Sequence, residues 1–199
     1  MIDLIVKGGV VLYIIIAISV IALALIIERL FSIHSMKSST KEFAKDIKIL
    51  LDAKDYDGAL NLSSENGSPL AILTKIAIEH RENSADERRT IVEENADRIS
   101  RVLEGRLLSL SVLGYISPLL GLLGTVIGMI AAFMTIQQKA GLVNPGDLAG
   151  GIWEALLTTA AGLIVAIPVQ LFYSYFSRVI DKYMIQLEIS TEEIIDKIE

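Results

Sequence analysis

Hydrophobic positions along this chain gather into three uninterrupted runs. Residues 8–27, 107–136 and 155–177 contain no Asp, Glu, Lys or Arg. A helix needs about 20 apolar residues to cross roughly 30 Å of hydrocarbon. Each run meets that length, and the second exceeds it at about 45 Å of helix. The pattern predicts three membrane-spanning helices. The first run holds Ala22-Leu23-Ala24, which resembles a signal cleavage site. It is longer than the usual apolar core of a signal, only Lys7 precedes it and Glu28-Arg29 follow at once, so it reads as an uncleaved span.

The polar stretch between the first two runs carries helical punctuation and no useful strand alternation. Ser39 with Glu42 and Ser84 with Glu87 fit the S-x-x-E capping box, which satisfies free amides at a helix start. Gly67-Ser68-Pro69 marks one helix ending and another beginning with Pro at its first position. Helices are expected near 40–53, 56–65, 69–82 and 85–106, the last running into the second span. His34 and His80 stand alone, without ligand-spaced partners, and are expected at the surface. In the tail, Ile180, Met184, Leu187, Thr191, Ile194 and Ile198 recur at alternating spacings of 4 and 3. That heptad seam fits either an amphipathic helix against its own lobe or a contact between copies of the chain.

Charge orients the spans. The 199 residues are 52% hydrophobic and 21% charged, with 18 Lys and Arg. Of these, 13 lie in residues 28–106 and 3 in 178–199, and basic residues near span ends mark the cytoplasmic side. The domains read as 1–28, a first span with its amino terminus outside; 29–106, a cytoplasmic helical domain; 107–136, the second span; 137–148, a short outside loop holding Lys139; 149–177, the third span; and 178–199, a cytoplasmic amphipathic tail. Phe172, Tyr173, Tyr175 and Phe176 crowd one end of the third span and Trp153 the other, as interfacial aromatics do. A net charge of −6 without a basic face argues against nucleic acid. Zero Cys removes disulfides, thiolate metal sites and cysteine nucleophiles.

The second and third spans differ from a plain anchor. Gly124, Gly128 and Ala132 form one small-xxx-small series, Ser117, Gly121 and Thr125 another, and Thr158, Gly162 and Ala166 a third. Helices gain no hydrophobic free energy by meeting in lipid, so close approach across small residues supplies the attraction. Two such faces on a helix predict more than one neighbour, hence a homo-oligomer. Thr125 lies 11 residues before Ile136 and Thr159 lies 10 after Ala149. In antiparallel helices this puts both hydroxyls at about the same depth, roughly 15–17 Å in. Each can bond its own i−4 carbonyl; repeated around an oligomer, they would line a pore. Asn144-Pro145-Gly146-Asp147 reads as a turn with Asp147 as N-cap. Glu154 falls beyond the first helical turn, where a carboxylate is costly unless it meets water or a cation, and is therefore a candidate functional group. Pro118 and Pro168, both toward the cytoplasmic side, each free a carbonyl within a span and are expected to kink their helices.

These residues carry a resemblance. The run Pro118-Leu-Leu-Gly-Leu-Leu-Gly-Thr125-Val resembles the signature of the MotA/TolQ/ExbB proton-channel family. So does Gly151-Ile-Trp-Glu154-Ala-Leu-Leu-Thr158-Thr159-Ala-Ala-Gly162-Leu-Ile-Val-Ala-Ile-Pro168. The three-span layout with a large cytoplasmic insertion is similar to the ExbB/TolQ branch. The resemblance implies an all-α membrane protein in a five-membered ring in the bacterial inner membrane, with the 137–148 loop in the periplasm. The ring would enclose the single span of an ExbD- or TolR-like partner that brings a membrane Asp. A TonB- or TolA-like protein would carry the resulting work to the envelope. Thr125, Thr159 and, beside them, Thr158 take pore-lining positions, and Glu154 takes the family's glutamate position. No cofactor is implied beyond the translocated ion, H⁺ or Na⁺. Two features depart from the pattern: little sequence precedes the first span, which a docking site in some relatives would need, and Trp153 replaces an expected small residue.

The residues add one constraint. No span contains Asp, His, Lys or Arg, so the titrating acid must come from another chain. About 2.3 kcal/mol is available per charge per 100 mV, so useful work needs several charges. A flagellar-type stator is the rival within the family, and four spans would mark it. An intramembrane enzyme would need a catalytic set at membrane depth that these spans lack. A passive oligomeric scaffold would use Thr125 and Thr159 for packing alone.

Overall fold

The structure, a computed structural model, describes residues 9–138 and 144–198. All regular structure among them is helical: α1 Gly9–Asp52, α2 Tyr56–Glu65, α3 Pro69–Glu79, α4 Ala85–Gln138 and α5 Pro145–Ile198. Three of these helices are long and apolar enough to cross a membrane, one for each run in the sequence. Lys7, Lys139 and the part of the expected 137–148 loop at residues 139–143 lie outside the described residues.

Several local signals resolve differently from their sequence reading. The 44 residues of α1 form one helix, so no new helix starts near residue 40. Ser39 caps nothing, because the amides of its neighbours are already paired within α1. Its hydroxyl instead donates to Asn66 Oδ1 at 3.1 Å. At Ser84 the signal holds, with the Glu87 amide donating to Ser84 Oγ at 3.3 Å. Ser68 caps α3 with Pro69 in its first turn. That helix stops at Glu79, three residues early, where His80 acts as C-cap with Nδ1 2.9 Å from the Ile76 carbonyl oxygen. His80 is therefore half-buried rather than a surface residue, whereas His34 is exposed. α5 begins at Pro145, which places Asp147 inside the first turn and not at the N-cap.

The chain divides into two compact units, residues 1–27 with 108–175 and residues 28–107 with 176–199. In the first, α1 buries the stripe Val11, Leu12, Ile15, Ala22 and Ile26, which lie on one helical face. The facing stripes of α4 and α5 are small: Ser117, Ala132, Ala155, Thr158 and Ala166 are all buried. Outward positions are large and apolar, such as Leu122, Val126, Ile130 and Ile164. Only 22–28% of the most apolar window of each span is buried. Such a surface suits lipid or neighbouring spans, not water.

The second unit is a helical lobe around Phe43, Ile47 and Leu51 of α1, Leu70, Leu73 and Ala77 of α3, Val92 of α4 and Leu187 and Ile194 of α5. The heptad positions of the tail find their partners here. Ile180, Leu187, Thr191, Ile194 and Ile198 are buried and Met184 is partly buried. The seam therefore belongs to the lobe of its own chain. Tyr183 shares a 2.8 Å hydrogen bond with Thr40. Lys48–Glu193 at 2.6 Å, Arg89–Asp196 at 2.8 Å and Lys197–Asp52 pin the end of α5 to α1 and α4.

Candidate functional site

The antiparallel contact between the membrane segments of α4 and α5 is built on missing side chains. A Cβ placed on Gly121 would lie 3.0 Å from the Thr158 carbonyl oxygen, and one on Gly128 would lie 2.7 Å from the Gly151 carbonyl oxygen. One on Gly162 would lie 2.6 Å from the Ser117 carbonyl oxygen, and one on Gly124 would overlap the Thr158 side chain. Backbone thus meets backbone, the arrangement by which helices attract in lipid. The two small-residue series of the second span prove to be one face. At 100° per residue, Ser117, Gly121, Gly124, Gly128 and Ala132 fall within a single narrow stripe, and that stripe is taken up by α5 of the same chain. The glycine pattern is spent on packing within the chain and does not itself call for a second neighbour.

Three threonines gather around this seam. Thr159 is half-buried, and its hydroxyl crosses to donate to the Gly121 carbonyl at 3.0 Å. Thr125 is half-buried and donates to the Leu122 carbonyl of its own helix at 2.6 Å, the local bond a span threonine can always make. The pairing of Gly121 with Thr158–Thr159 and of Gly128 with Gly151 and Ala155 sets the register. It places Thr159 level with Gly121, so Thr125 is offset from it by roughly 6 Å along the axis. The hydroxyls are therefore not at one depth but on successive turns. Thr158 is the most enclosed of the three. It is 1% exposed, donates to the Ala155 carbonyl at 2.8 Å and fills the space above Gly124, which makes it a packing residue.

Glu154 is half-buried and does not project freely. Its carboxylate rests on Gly9, and a Cβ there would overlap Glu154 Oε1. Gly9 has φ +61°, in the left-handed region where glycine alone is unstrained. It opens α1, whose first amides have no partner within the helix. Gly9 could not be singled out beforehand, since a glycine at the edge of an apolar run carries no signal of what it faces. Gln170 is a second residue that sequence reasoning missed, although an amide inside the third charge-free run was a legible polar signal. Its Oε1 would stand 3.0 Å from a Cβ on Gly114, the residue whose carbonyl loses its usual donor because Pro118 has no N–H. Pro118 and Pro168 both lie within continuous helices. Among the described residues no three His, Cys, Asp or Glu side chains cluster in the manner of a metal site.

Three long apolar helices, two of them joined by a glycine-lined seam with threonine hydroxyls beside it, define a multi-pass membrane protein. Comparison with known proteins defines it more closely. Residues 65–189 match the model of the MotA/TolQ/ExbB proton channel family, and the chain belongs to that family. It is 34% identical over 146 residues to the biopolymer transport protein ExbB of Pseudomonas putida, covering 69% of this chain and 44% of the relative. With the biopolymer transport protein exbB1 of Vibrio cholerae it shares 44% identity over 79 residues, 40% of this chain and 35% of the relative. A putative ExbB homolog of Methanothermobacter thermautotrophicus is 29% identical over 197 residues, 92% of this chain and 65% of the relative. The matches to the first two of these ExbB proteins span less than half of their length.

Proposed function

We propose that this chain is the ring-forming subunit of an ion-driven motor in the bacterial inner membrane, with its amino terminus outside and its helical lobe in the cytoplasm. Five copies surround the single span of an ExbD- or TolR-like partner, whose membrane Asp takes up and releases H⁺ (or Na⁺) beside Thr125 and Thr159. Glu154 stands at the outer mouth of the path. A TonB- or TolA-like protein draws on the resulting motion for uptake across, or maintenance of, the outer envelope. Family membership supports the channel role. The observation that carries the site is that Thr159 and Thr125 bring hydroxyls to mid-span in a chain with no acid or base there. Each chain also buries only about a quarter of its span windows, so a water-filled path needs several copies to enclose it.

The test is ion flux into liposomes holding the chain with and without the single-span partner. Flux that needs the partner and falls with Thr125→Val, Thr159→Val or Glu154→Ala, while assembly size holds, supports the reading. Flux and assembly unchanged by all three would leave a passive scaffold.

A further inference from the structure

Helix α5 enters the lobe with Tyr183, Leu187 and Ile194 turned into the core, and it leaves a groove on each flank. The groove against α1, about 570 Å³, holds Lys37 and Lys41 and has Gln186, Ile189 and Ser190 on its α5 side. The groove against α4, about 270 Å³, holds Glu93, Asp97, Glu188 and Glu192. Gln186 and Ser190 are each two residues from Glu188 and Glu192, a rotation of about 200° that sends the two sets to opposite sides of the helix. Both lysines and all four carboxylates are exposed, and none has an ion-pair or hydrogen-bond partner among the described residues. Arg89, which also lines the second groove, is engaged by Asp196 at 2.8 Å. Between the flanks, on the outward face of α5, Ile185 and Ile189 lie one turn apart and are 59% and 57% exposed.

We infer that these two flanks are the two halves of one contact between neighbouring copies of this chain, the lysine groove of one copy taking the acidic groove of the next. The inference rests on the ring reading above and names the surface that orders the ring. A flank of one sign cannot pair with itself, so a two-fold dimer through either groove would set like charge against like. Opposite signs on opposite sides of one helix instead favour a head-to-tail contact, which closes into a ring when the rotation allows. Complementary charge fixes which face meets which and excludes the reversed order.

The experiment uses the full chain in membranes, with two differently tagged copies co-expressed. The natural sequence has no Cys, so a short bis-maleimide acts only where cysteine is introduced. A copy carrying Lys41→Cys is expected to cross-link to a copy carrying Glu188→Cys, and neither to its own kind. Lys37→Glu with Lys41→Glu, or Glu188→Lys with Glu192→Lys, is expected to lower co-purification of tagged copies by about fivefold or more, with the loss shrinking at high salt. All four changes in one chain restore self-association and exclude the wild-type chain. Intact wild-type rings without the 41–188 cross-link, like-with-like cross-linking, an unrestored four-fold variant, or cross-linking only when an acidic partner is present would each overturn the inference. A wild-type chain that stays monomeric would instead sink the ring reading, and this contact with it.

Discussion

Glu154 and Gly9 share one small volume: the carboxylate of the third span occupies the place a side chain on the first would need. This carboxylate bordering the α4–α5 seam is thereby held against α1, and its position depends on a residue that has no side chain. Gly9→Ala is expected to displace the carboxylate and to strain the backbone at φ +61°, at a cost of about 1–3 kcal/mol. Partner-dependent flux should fall. Glu154→Asp shortens the side chain by one methylene, so adding Gly9→Ala to it should cost less than adding it to the natural chain. Flux assays on the four combinations measure this coupling, and equal losses in both backgrounds would refute it.

Gly124 has no room to grow, because Thr158 stands where its side chain would be. Gly124→Val is expected to part α4 from α5 and destabilise the fold by about 1–3 kcal/mol, the usual penalty of overpacking. Gly105, with nothing within 4 Å of its Cβ position, should accept Ala without loss. Thermal unfolding in detergent distinguishes the two.

Thr159→Val removes one of the donors to the Gly121 carbonyl while keeping the side-chain shape. Interhelical hydrogen bonds in membranes are worth only about 0.6 kcal/mol on average, so unfolding should change little. A large loss of flux with a small loss of stability is the expected signature. Proportional losses in both would return the threonine to packing.

Tyr183 reports on the lobe at high pH. Burial pushes its phenol up to about 12, against a smaller lowering by Thr40. Its raised value means the stabilisation is complete below about pH 10, the unfolded value, and is lost as pH climbs through 12. Hydrogen exchange in α1 and α5 should accelerate across that window. Tyr183→Phe should exchange somewhat faster at neutral pH, having lost the Thr40 bond, and show no alkaline rise from this site.

Glu193 behaves in the opposite sense. Its hydrogen bond and charge pairing with Lys48 hold the carboxyl below the usual carboxylate range. The contribution is present above the unfolded pKa and disappears as pH falls through the lowered value. Lys48→Gln should remove most of that acid sensitivity, the rest coming from the charge of Lys197, and salt should weaken it, since the pair is exposed.

Much of this architecture could be read from residue patterns, and the failures have physical causes. Three charge-free runs announce three spans because hydrocarbon tolerates little else. Ser68-Pro69 and Ser84 mark true helix starts because the backbone does begin there. Ser39 carries the same pattern in mid-helix, where the motif has no free amide to satisfy, and nothing local distinguishes the cases. The seam glycines were recognisable as packing residues, but whether they met the same chain or another depends on tertiary register. Thr125 and Thr159 were visible as polar groups in apolar helices. Their offset by a turn, and the burial of Thr158, follow from the few ångströms of axial shift that backbone contact at Gly121 and Gly128 imposes. The tail heptad fits a lobe as well as a coiled coil, since both bury one face of period 3.5.

The glycine seam has one mechanical consequence. Where two helices touch through side chains, a push on one can be absorbed by rotamer changes; where carbonyls and α-carbons are in direct contact, there is no such cushion. The second and third spans must then shift together as a single stave, moved whole and not deformed.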